Sequence, residues 1–421
     1  MTAIVGFMNK RGVAVAADSA VTLGNTHKVV NSGNKIFTLS KYAPVGIATY
    51  GNASFMDTPW EIIIKLFRKH LGRKKLNTLR EYIALFLDFL HGEDCFLEEE
   101  YKCQTLLQRA IIFYNISVEN SKRFKGYAKE NATEFLEREL IRCKRVNSNT
   151  KAPRFPEMQA YTYEQFSAYF TSIFVSKIAL MPMLATKEMQ EVFLQSFYQY
   201  LRVYVNADSD SGLVFFGYGE KEIYPSMVNF VIADSFDGHL RYIELEGNSI
   251  SIAARGTTGC VIPYAQIDVA QTIIRGINPA FLDVLGGALL NVLNGYRRTL
   301  LSKVPQTEEN ADAIKEIVAI NLNEVAQQFV QNAREVFKQS YTDPLVNTVA
   351  RLSKEDMAKL AESLVELTSL VRRMSPKEET VGGPIDVAVV SKGDGFIWLK
   401  RKHYFDPQLN PNFINTYNDE D

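Results

Sequence analysis

Two short apolar runs joined by a tight turn open the chain and constrain everything that follows. Ile4–Met8 and Val13–Ala17 flank Asn9-Lys-Arg-Gly12. Small, β-branched and aromatic residues on either side of a Gly-containing turn predict an antiparallel hairpin. Further short strands are expected at Lys28–Asn31, Lys35–Leu39 and Val45–Tyr50, separated by Ser32-Gly33 and Tyr42-Ala-Pro44. From Pro59 the apolar period becomes helical, with Trp60, Ile63, Ile64 and Phe67, then Tyr82, Leu85, Phe86 and Phe89.

Helical or mixed sequence runs to about residue 207, and a second β block starts at Gly212, with strands expected at Leu213–Tyr218, Ser226–Asp234, Leu240–Glu246 and Ser249–Arg255. Helical sequence returns from Pro263 to Met374. Its last helix carries a Ser353 cap with Asp356 three residues on, and an apolar face of Met357, Leu360, Ala361, Leu364 and Val371. A final hairpin is expected from Ile385–Val390, a turn at Ser391–Gly395, and Phe396–Tyr404; the tail Asn418–Asp421 is acidic.

Helices thus stand between β blocks rather than alternating with single strands. That order argues against a doubly wound parallel sheet and for an α+β fold of two mainly antiparallel sheets packed together, with helices on their outer faces. The expectation is one domain over residues 1–421. Its core segments are 2–93, 212–269 and 351–405, with helical insertions at about 95–207 and 270–350.

Composition narrows the function classes. Lys+Arg number 47 against 48 Asp+Glu, so the charge balance offers no case for nucleic acid or an anionic membrane. No apolar run reaches the roughly 20 residues of a membrane helix. Cys95, Cys103, Cys143 and Cys260 form no C-x-x-C pair, and His27, His70, His91, His239 and His403 are scattered, so no metal site is expected. With no signal peptide or pro-segment read ahead of Thr2, the cysteines are expected as free thiols in a cytoplasmic protein.

The chemistry lies in the opening hairpin. If Met8 pairs with Gly12, Thr2 faces Asp18; a turn changed by one residue puts Thr2 opposite Ser19 instead. Either register brings the start of the chain close to a carboxylate, since opposed Cβ atoms lie about 4.5–5.5 Å apart. Removal of Met1 leaves Thr2 with a free α-amine beside its hydroxyl, a nucleophile carrying its own base. An α-amine titrates at about 7.7–8.0, and a nearby ammonium lowers it further. Lys35, after the Gly33-Asn34 turn, is the candidate ammonium, with Asp18 to pair with it. Gly51 ends the strand Val45–Gly51 ahead of a helix, where a backbone N–H is placed to stabilise an oxyanion.

Thr2-Ala-Ile-Val-Gly, Gly12-Val-Ala-Val-Ala-Ala-Asp-Ser19, Val21-Thr-Leu-Gly-Asn25, Asn34-Lys-Ile36 and Ile47-Ala-Thr-Tyr-Gly-Asn-Ala-Ser54 together resemble the opening of a proteasome β-subunit, and more so its bacterial heat-shock peptidase counterpart. Both are N-terminal nucleophile hydrolases, and the resemblance is specific over residues 2–61. It implies a four-layer α-β-β-α sandwich, Thr2 as nucleophile and amine base, Asp18 and Lys35 as the charged pair that tunes it, and the Gly51 N–H as oxyanion donor. It also implies that Val21, Thr22, Gly33, Thr49 and Ala53 line the substrate strand and side-chain pocket. Gly256-Thr-Thr-Gly-Cys260 resembles the family's Ser-Gly segment behind the nucleophile, which assigns Thr258 a supporting hydroxyl and Gly259 a backbone contact. Val381-Gly-Gly-Pro-Ile-Asp386 resembles the Gly-Gly strand start near the end of family members. There Glu378 takes an Asp position and Val381 a Ser position. Aligning Lys35 takes a one-residue insertion after Asn25, and Asn52 stands where the family has a second Gly.

These implications give a threonine-type peptidase or amidase that needs no metal or organic cofactor. Its partners would be a peptide or amide substrate and further copies of itself in a homo-oligomer, with an unfoldase undetermined. An inactive proteasome-like scaffold subunit and a small-molecule amidase are the alternatives. Cys260 is not expected as a nucleophile, for no His stands near it in sequence.

Overall fold

The structure is a computed structural model. It describes every residue except 1, 24–27, 93–97, 153, 204–209, 306, 308–309, 376–380, 404, 407–408 and 411–421. Glu378, Cys95, the insertion after Asn25 and the acidic tail therefore lie outside the described residues.

The chain is α+β. Its first elements are β1 (Ala3–Asn9), β2 (Gly12–Ala17), β3 (Val21–Leu23), β4 (Lys28–Val30), β5 (Ile36–Thr38), β6 (Val45–Gly51), β7 (Ser54–Phe55) and β8 (Thr58–Pro59). Helices follow: α1 (Trp60–Leu71), α2 (Leu79–Gly92), α3 (Glu99–Ser121), α4 (Ala132–Asn149), α5 (Tyr163–Ser176) and α6 (Lys187–Arg202). The second β block holds β9 (Ser211–Gly217), β10 (Ser226–Phe236), β11 (His239–Glu244), β12 (Ile250–Ser251) and β13 (Gly259–Ala265). Then come α7 (Ile267–Arg275), α8 (Pro279–Lys303), α9 (Ala311–Ala319), α10 (Leu322–Phe337), α11 (Asp343–Val349) and α12 (Lys354–Met374), and last β14 (Asp386–Ser391) and β15 (Gly395–Lys400). Two compact units form. The first joins Met1–Gly33, Ile252–Ser391 and Ile397–Asp421; the second joins Asn34–Ser251 and Lys392–Phe396.

The first unit is built on a five-stranded sheet of order β13-β1-β2-β14-β15. The opening hairpin is its centre, flanked by strands from much later in the chain. Asn9 pairs with Gly12 and Ile4 with Ala17, so the turn is the two residues Lys10-Arg11. The buried Asn9 side chain fixes that turn: its Oδ1 accepts from Arg11 N at 2.8 Å and its Nδ2 donates to Val349 O at 2.8 Å and Leu352 O at 3.0 Å. One face of the sheet (Ala3, Val5, Phe7, Ala14, Ala16, Val387, Val389) packs against Met357, Ala358, Ala361 and Val365 of α12. Ser353 caps α12 as expected, accepting from Asp356 N at 3.1 Å. Its buried stripe is rotated from the expected one: Ala358, Val365, Thr368 and Ser369 face inward with Met357 and Ala361, while Leu360 and Val371 are exposed. Small residues win the inward positions because they let the helix lie close on the sheet.

Two strand expectations change here. Ser249–Arg255 is a strand only at Ile250–Ser251, and the helix expected from Pro263 begins at Ile267. Gly259–Ala265 is instead a full strand along β1, with Pro263 opposite Val5. β13 is the outer strand of its sheet, where a proline's missing N–H breaks no central ladder.

The second unit holds a six-stranded sheet, β11-β10-β9-β6-β5 with β12 on β10. Trp60, Ile63, Ile64, Phe67 and Leu71 of α1 and Tyr82, Phe86 and Phe89 of α2 cover Ile47, Leu213, Phe215 and Phe230, which matches the helical period read from the sequence. Helices α3–α6 build a second core, rich in Phe, against Val231, Ala233, Phe236 and Ile243 of β10 and β11. Helices α3–α6 thus form a helical layer against β10 and β11 of this sheet. No single helix among the described residues is long and apolar enough to cross a membrane.

Candidate active site

In the first unit the hairpin register decides what meets the head of β1. Residue numbers of opposed positions place Ala3, not Thr2, across from Asp18. Asp18 N donates to Ala3 O at 3.1 Å and Ala3 N donates to Asp18 Oδ1 at 2.8 Å. Of the two registers the sequence allowed, the second is therefore present, because the turn takes two residues and leaves Asn9 and Gly12 paired. Thr2 stands one residue above the ladder, at the level of Ser19.

Asp18 is buried at the end of β2. Besides Ala3 N, its carboxylate accepts from Ala20 N and Gly382 N, both at 3.1 Å and both to Oδ2. Three backbone donors to one carboxylate fix its orientation next to the chain start. Buried Ser19 ties the same region together: its N donates to Gly382 O at 3.1 Å and its Oγ to Pro384 O at 2.5 Å. Gly33 N donates to Ser19 O at 3.0 Å, and a Cβ on Gly33 would lie 2.2 Å from Val21 Cγ2. Val21 and Thr22 lie on β3, opposite Val30 and Val29. Thr2, Asp18, Val21 and Gly33 are thus brought to one end of the unit. A cleft of about 320 Å³ opens beside Asp18, walled by Gly382–Ile385, by Glu366, Ser369 and Arg373 of α12, and by Lys400.

Thr258 and Gly259 are not part of this group, which corrects their supporting assignment. Gly259 pairs with Asn9, at the far end of β1, while Ala265 pairs with Ala3. Six residues of strand separate them from Thr2, about 20 Å. The segment behind Thr2 is Ala265-Gln266. Gln266 N donates to Thr2 O at 3.0 Å, and Ala265 takes a left-handed φ of 64° to turn the chain into α7. The misreading followed from taking Pro263 as a helix start. Gly382 is the neighbour of Asp18 that spacing alone did not mark.

In the second unit, Lys35 is buried just ahead of β5, and its carbonyl accepts from Thr49 N at 2.8 Å. Thr49 is buried on β6 and Gly51 ends that strand. Gly51 has φ 76°, and a Cβ there would stand 2.5 Å from Asp210 O, so this position requires glycine twice over. The turn after it is held from one side by Asp210-Ser211. Asn52 N donates to Asp210 O at 3.1 Å, and Ser211 Oγ donates to Asn52 O at 2.9 Å. Ala53 is exposed, and its carbonyl accepts from Trp60 N at 3.1 Å at the start of α1.

Asp210 is itself anchored by a buried group of four charges. Arg109 of α3 donates through Nη2 to Asp210 Oδ1 at 2.9 Å and its Nε meets Asp234 Oδ2. Arg241 Nε lies 3.5 Å from Asp234 Oδ1, with its guanidinium over the Phe155 ring. A bulge in β10 between Ile232 and Asp234 sets Asp234 opposite Arg241. Burial raises the Asp210 carboxyl above the usual range, against the pull of Arg109. Burial works against the Arg109 proton as well, but Asp234 and Asp210 outweigh it and raise its pKa. No spacing signal marks this quartet.

Cys103, Cys143 and Cys260 are free thiols. Burial pushes Cys260, and burial with the Glu139 carboxylate pushes Cys143, up to about 12, which keeps both as unreactive thiols. Among the described residues no cluster of His, Cys, Asp and Glu is arranged to hold a metal ion.

No known family profile and no curated protein matches the chain. Among solved structures, Anbu from Hyphomicrobium sp. strain MC1 is 11% identical, covering 99% of this chain and 94% of that one, with TM-score 0.32. Its Gly-1 mutant is 11% identical over 100% and 94%, with TM-score 0.30. Anbu (ancestral beta-subunit) from Yersinia bercovieri is 9% identical over 100% and 97%, with TM-score 0.27. At scores this low the likenesses carry no argument about this chain.

Proposed function

We propose that the chain is a threonine-type N-terminal nucleophile hydrolase that cleaves a peptide or amide bond, with Thr2 as nucleophile once Met1 is removed. The observation that carries this reading is the Asp18 carboxylate, fixed by three backbone N–H groups one residue from Thr2. A surface carboxylate at a hairpin end needs no such clamp. The proposal keeps the four-layer sandwich and the cytoplasmic location expected from the sequence.

In this reading the Thr2 α-amine takes the proton of its own Oγ as Oγ attacks the substrate carbonyl. The developing oxyanion is met by the Gly51 N–H. The tetrahedral adduct collapses to an ester on Thr2, and the amine returns its proton to the leaving nitrogen. Water, deprotonated by the same amine, then hydrolyses the ester. Lys35 supplies the positive charge that holds the amine unprotonated, and Asp18 positions it. Val21, Thr22, Gly33, Thr49 and Ala53 are assigned to the extended substrate, a strand-addition mode in which backbone pairing gives affinity. Thr258 and Gly259 have no part; the backbone of Gln266 and Gly382 supports Thr2 and Asp18 instead.

The test joins mass and labelling. The purified chain should lack Met1, and an epoxyketone or β-lactone probe should label Thr2. Thr2→Ala should abolish labelling, and Lys35→Ala should abolish turnover with the fold intact. Retained Met1 with no labelling favours the scaffold reading, and labelling that survives Thr2→Ala moves the nucleophile elsewhere.

A further inference from the structure

The peptide that carries the Gly51 N–H is gripped from two sides within the second unit. Gly51 faces Ser211 where β6 ends against β9. Beyond them Asn52 N donates to Asp210 O at 3.1 Å, so Asn52 and Asp210 form a hydrogen-bonded pair. Such pairs alternate along an antiparallel ladder with pairs whose N–H groups turn to the opposite edges. Gly51 N–H therefore points away from β9, on the same edge as Thr49 N, which donates to Lys35 O at 2.8 Å. On one side of this peptide, Tyr50 lies across from Gly212, where a Cβ would stand 2.0 Å from its ring, and its hydroxyl donates to Asn229 Oδ1 at 3.1 Å. On the other, Gly51 takes φ 76°, which lets Asn52 reach Asp210.

The second grip is only as firm as Asp210, which stands just ahead of β9. Its carboxylate is fixed by Arg109 of α3, 101 residues earlier, through Nη2 at 2.9 Å. Arg109 is fixed in turn by Asp234, which Arg241 also faces. Arg109, Asp210, Asp234 and Arg241 are 7%, 6%, 1% and 3% exposed. Stability alone is a poor reason for such a group, because apolar residues of the same volume serve as well or better. What a buried polar group of this kind supplies is a fixed position for the backbone it holds.

We infer that Arg109 and Asp210 are positioning residues for the proposed reaction: acting through the Asp210 carbonyl, they hold the Gly51–Asn52 turn so that the Gly51 N–H meets the developing oxyanion. Helix α3 thereby shapes the site without touching substrate. The inference rests on the hydrolase reading and goes beyond it, since all four charged residues lie outside the segments that resemble the family. An oxyanion donor acts only within hydrogen-bond distance of where the charge forms. A displacement of about 1 Å costs on the order of a hundredfold in rate, so a turn held by one carbonyl is sensitive to whatever fixes that carbonyl.

Two probes that react at the same hydroxyl separate positioning from folding. A β-lactone is attacked at its carbonyl carbon by Thr2 Oγ, which places negative charge on the carbonyl oxygen. The ring C–O bond then breaks, and the released alkoxide takes the proton that the α-amine removed from Oγ. A peptide vinyl sulfone adds the same Oγ to its terminal alkene carbon, and the proton ends on the carbon beside the sulfone, with no carbonyl oxyanion formed. The ratio of the two labelling rates reads the oxyanion donor, and the folded fraction cancels in it. Measured on the full chain well below its melting transition, Arg109→Met and Asp210→Ala should each lower that ratio at least about tenfold, since outright loss of one donor costs about 10²–10³. Asp210→Asn, which keeps an acceptor for Arg109, should restore most of it. Phe197→Leu, in the buried core of α3–α6, should lower the melting point and leave the ratio unchanged. A ratio unchanged in Arg109→Met and Asp210→Ala, or reduced as far in Asp210→Asn or Phe197→Leu, overturns the inference while the hydrolase reading stands. A wild type labelled by neither probe overturns that reading and this inference with it.

Discussion

Replacing Arg109 by Met removes one charge from the buried quartet of the second unit while keeping an unbranched stem of similar reach. The loss falls on Asp210 and Asp234, both buried, which then share Arg241 alone. Removing one partner of a buried ion pair costs about 3–5 kcal/mol, because the remaining charge is left desolvated without compensation. For a body of this unit's size each kcal/mol moves the melting point by about 2–4 °C, so the unit's transition should fall by about 6–20 °C at neutral pH. The pH dependence sharpens the test. Asp210 already has a raised pKa, so the folded state binds its proton more tightly than the unfolded chain does. Its contribution to folding is most favourable at acid pH and declines as pH rises through the folded value. Without Arg109 that decline is steeper. The gap between Arg109→Met and the wild type should therefore be widest at neutral pH and narrow as pH falls into the carboxylate range. Calorimetry across pH 4.5–7.5 reads both effects. A variant that melts with the wild type at pH 7, or a gap that widens toward acid, refutes the reasoning.

Gly51→Ala should lose about 1–3 kcal/mol in urea unfolding, since φ 76° and the Asp210 carbonyl both oppose a Cβ; a neutral result would mean the turn yields freely. Asn9→Ala deletes three hydrogen bonds at a buried turn, with an expected loss of about 2–4 kcal/mol by the same measurement. Cys260, with its thiol pushed up to about 12, should resist iodoacetamide at pH 8 in the native protein and react once it is unfolded; alkylation of the folded chain at the rate of a free thiol would contradict its burial.

The elements legible in the sequence were those whose partners are near or whose period is long. The opening hairpin, the α1 and α2 stripes and the Ser353 cap stand where spacing put them, and so does the final hairpin except that its last strand ends at Lys400. β13 was hidden because Pro263 reads as a helix start and only the strand's edge position excuses it. The inward face of α12 was hidden because small residues won it over Leu360. The quartet joins residues 101 positions apart, a pairing that no local pattern encodes. Asp18 was visible as a residue, but its clamp was not, since Gly382 reaches it from 364 positions away.

That sheet order also sets a schedule. The hairpin of β1 and β2 is made first, yet its neighbours β13 and β14 begin at Gly259 and Asp386. At about 5–20 residues per second, a ribosome needs about 20–70 s to bring β14 out after β2. Until β13 emerges the hairpin has two open edges, and the β2 edge stays open for the rest of that interval. An aminopeptidase has the time before Gln266 emerges in which to reach the first residue, ahead of the bond from Gln266 N to Thr2 O.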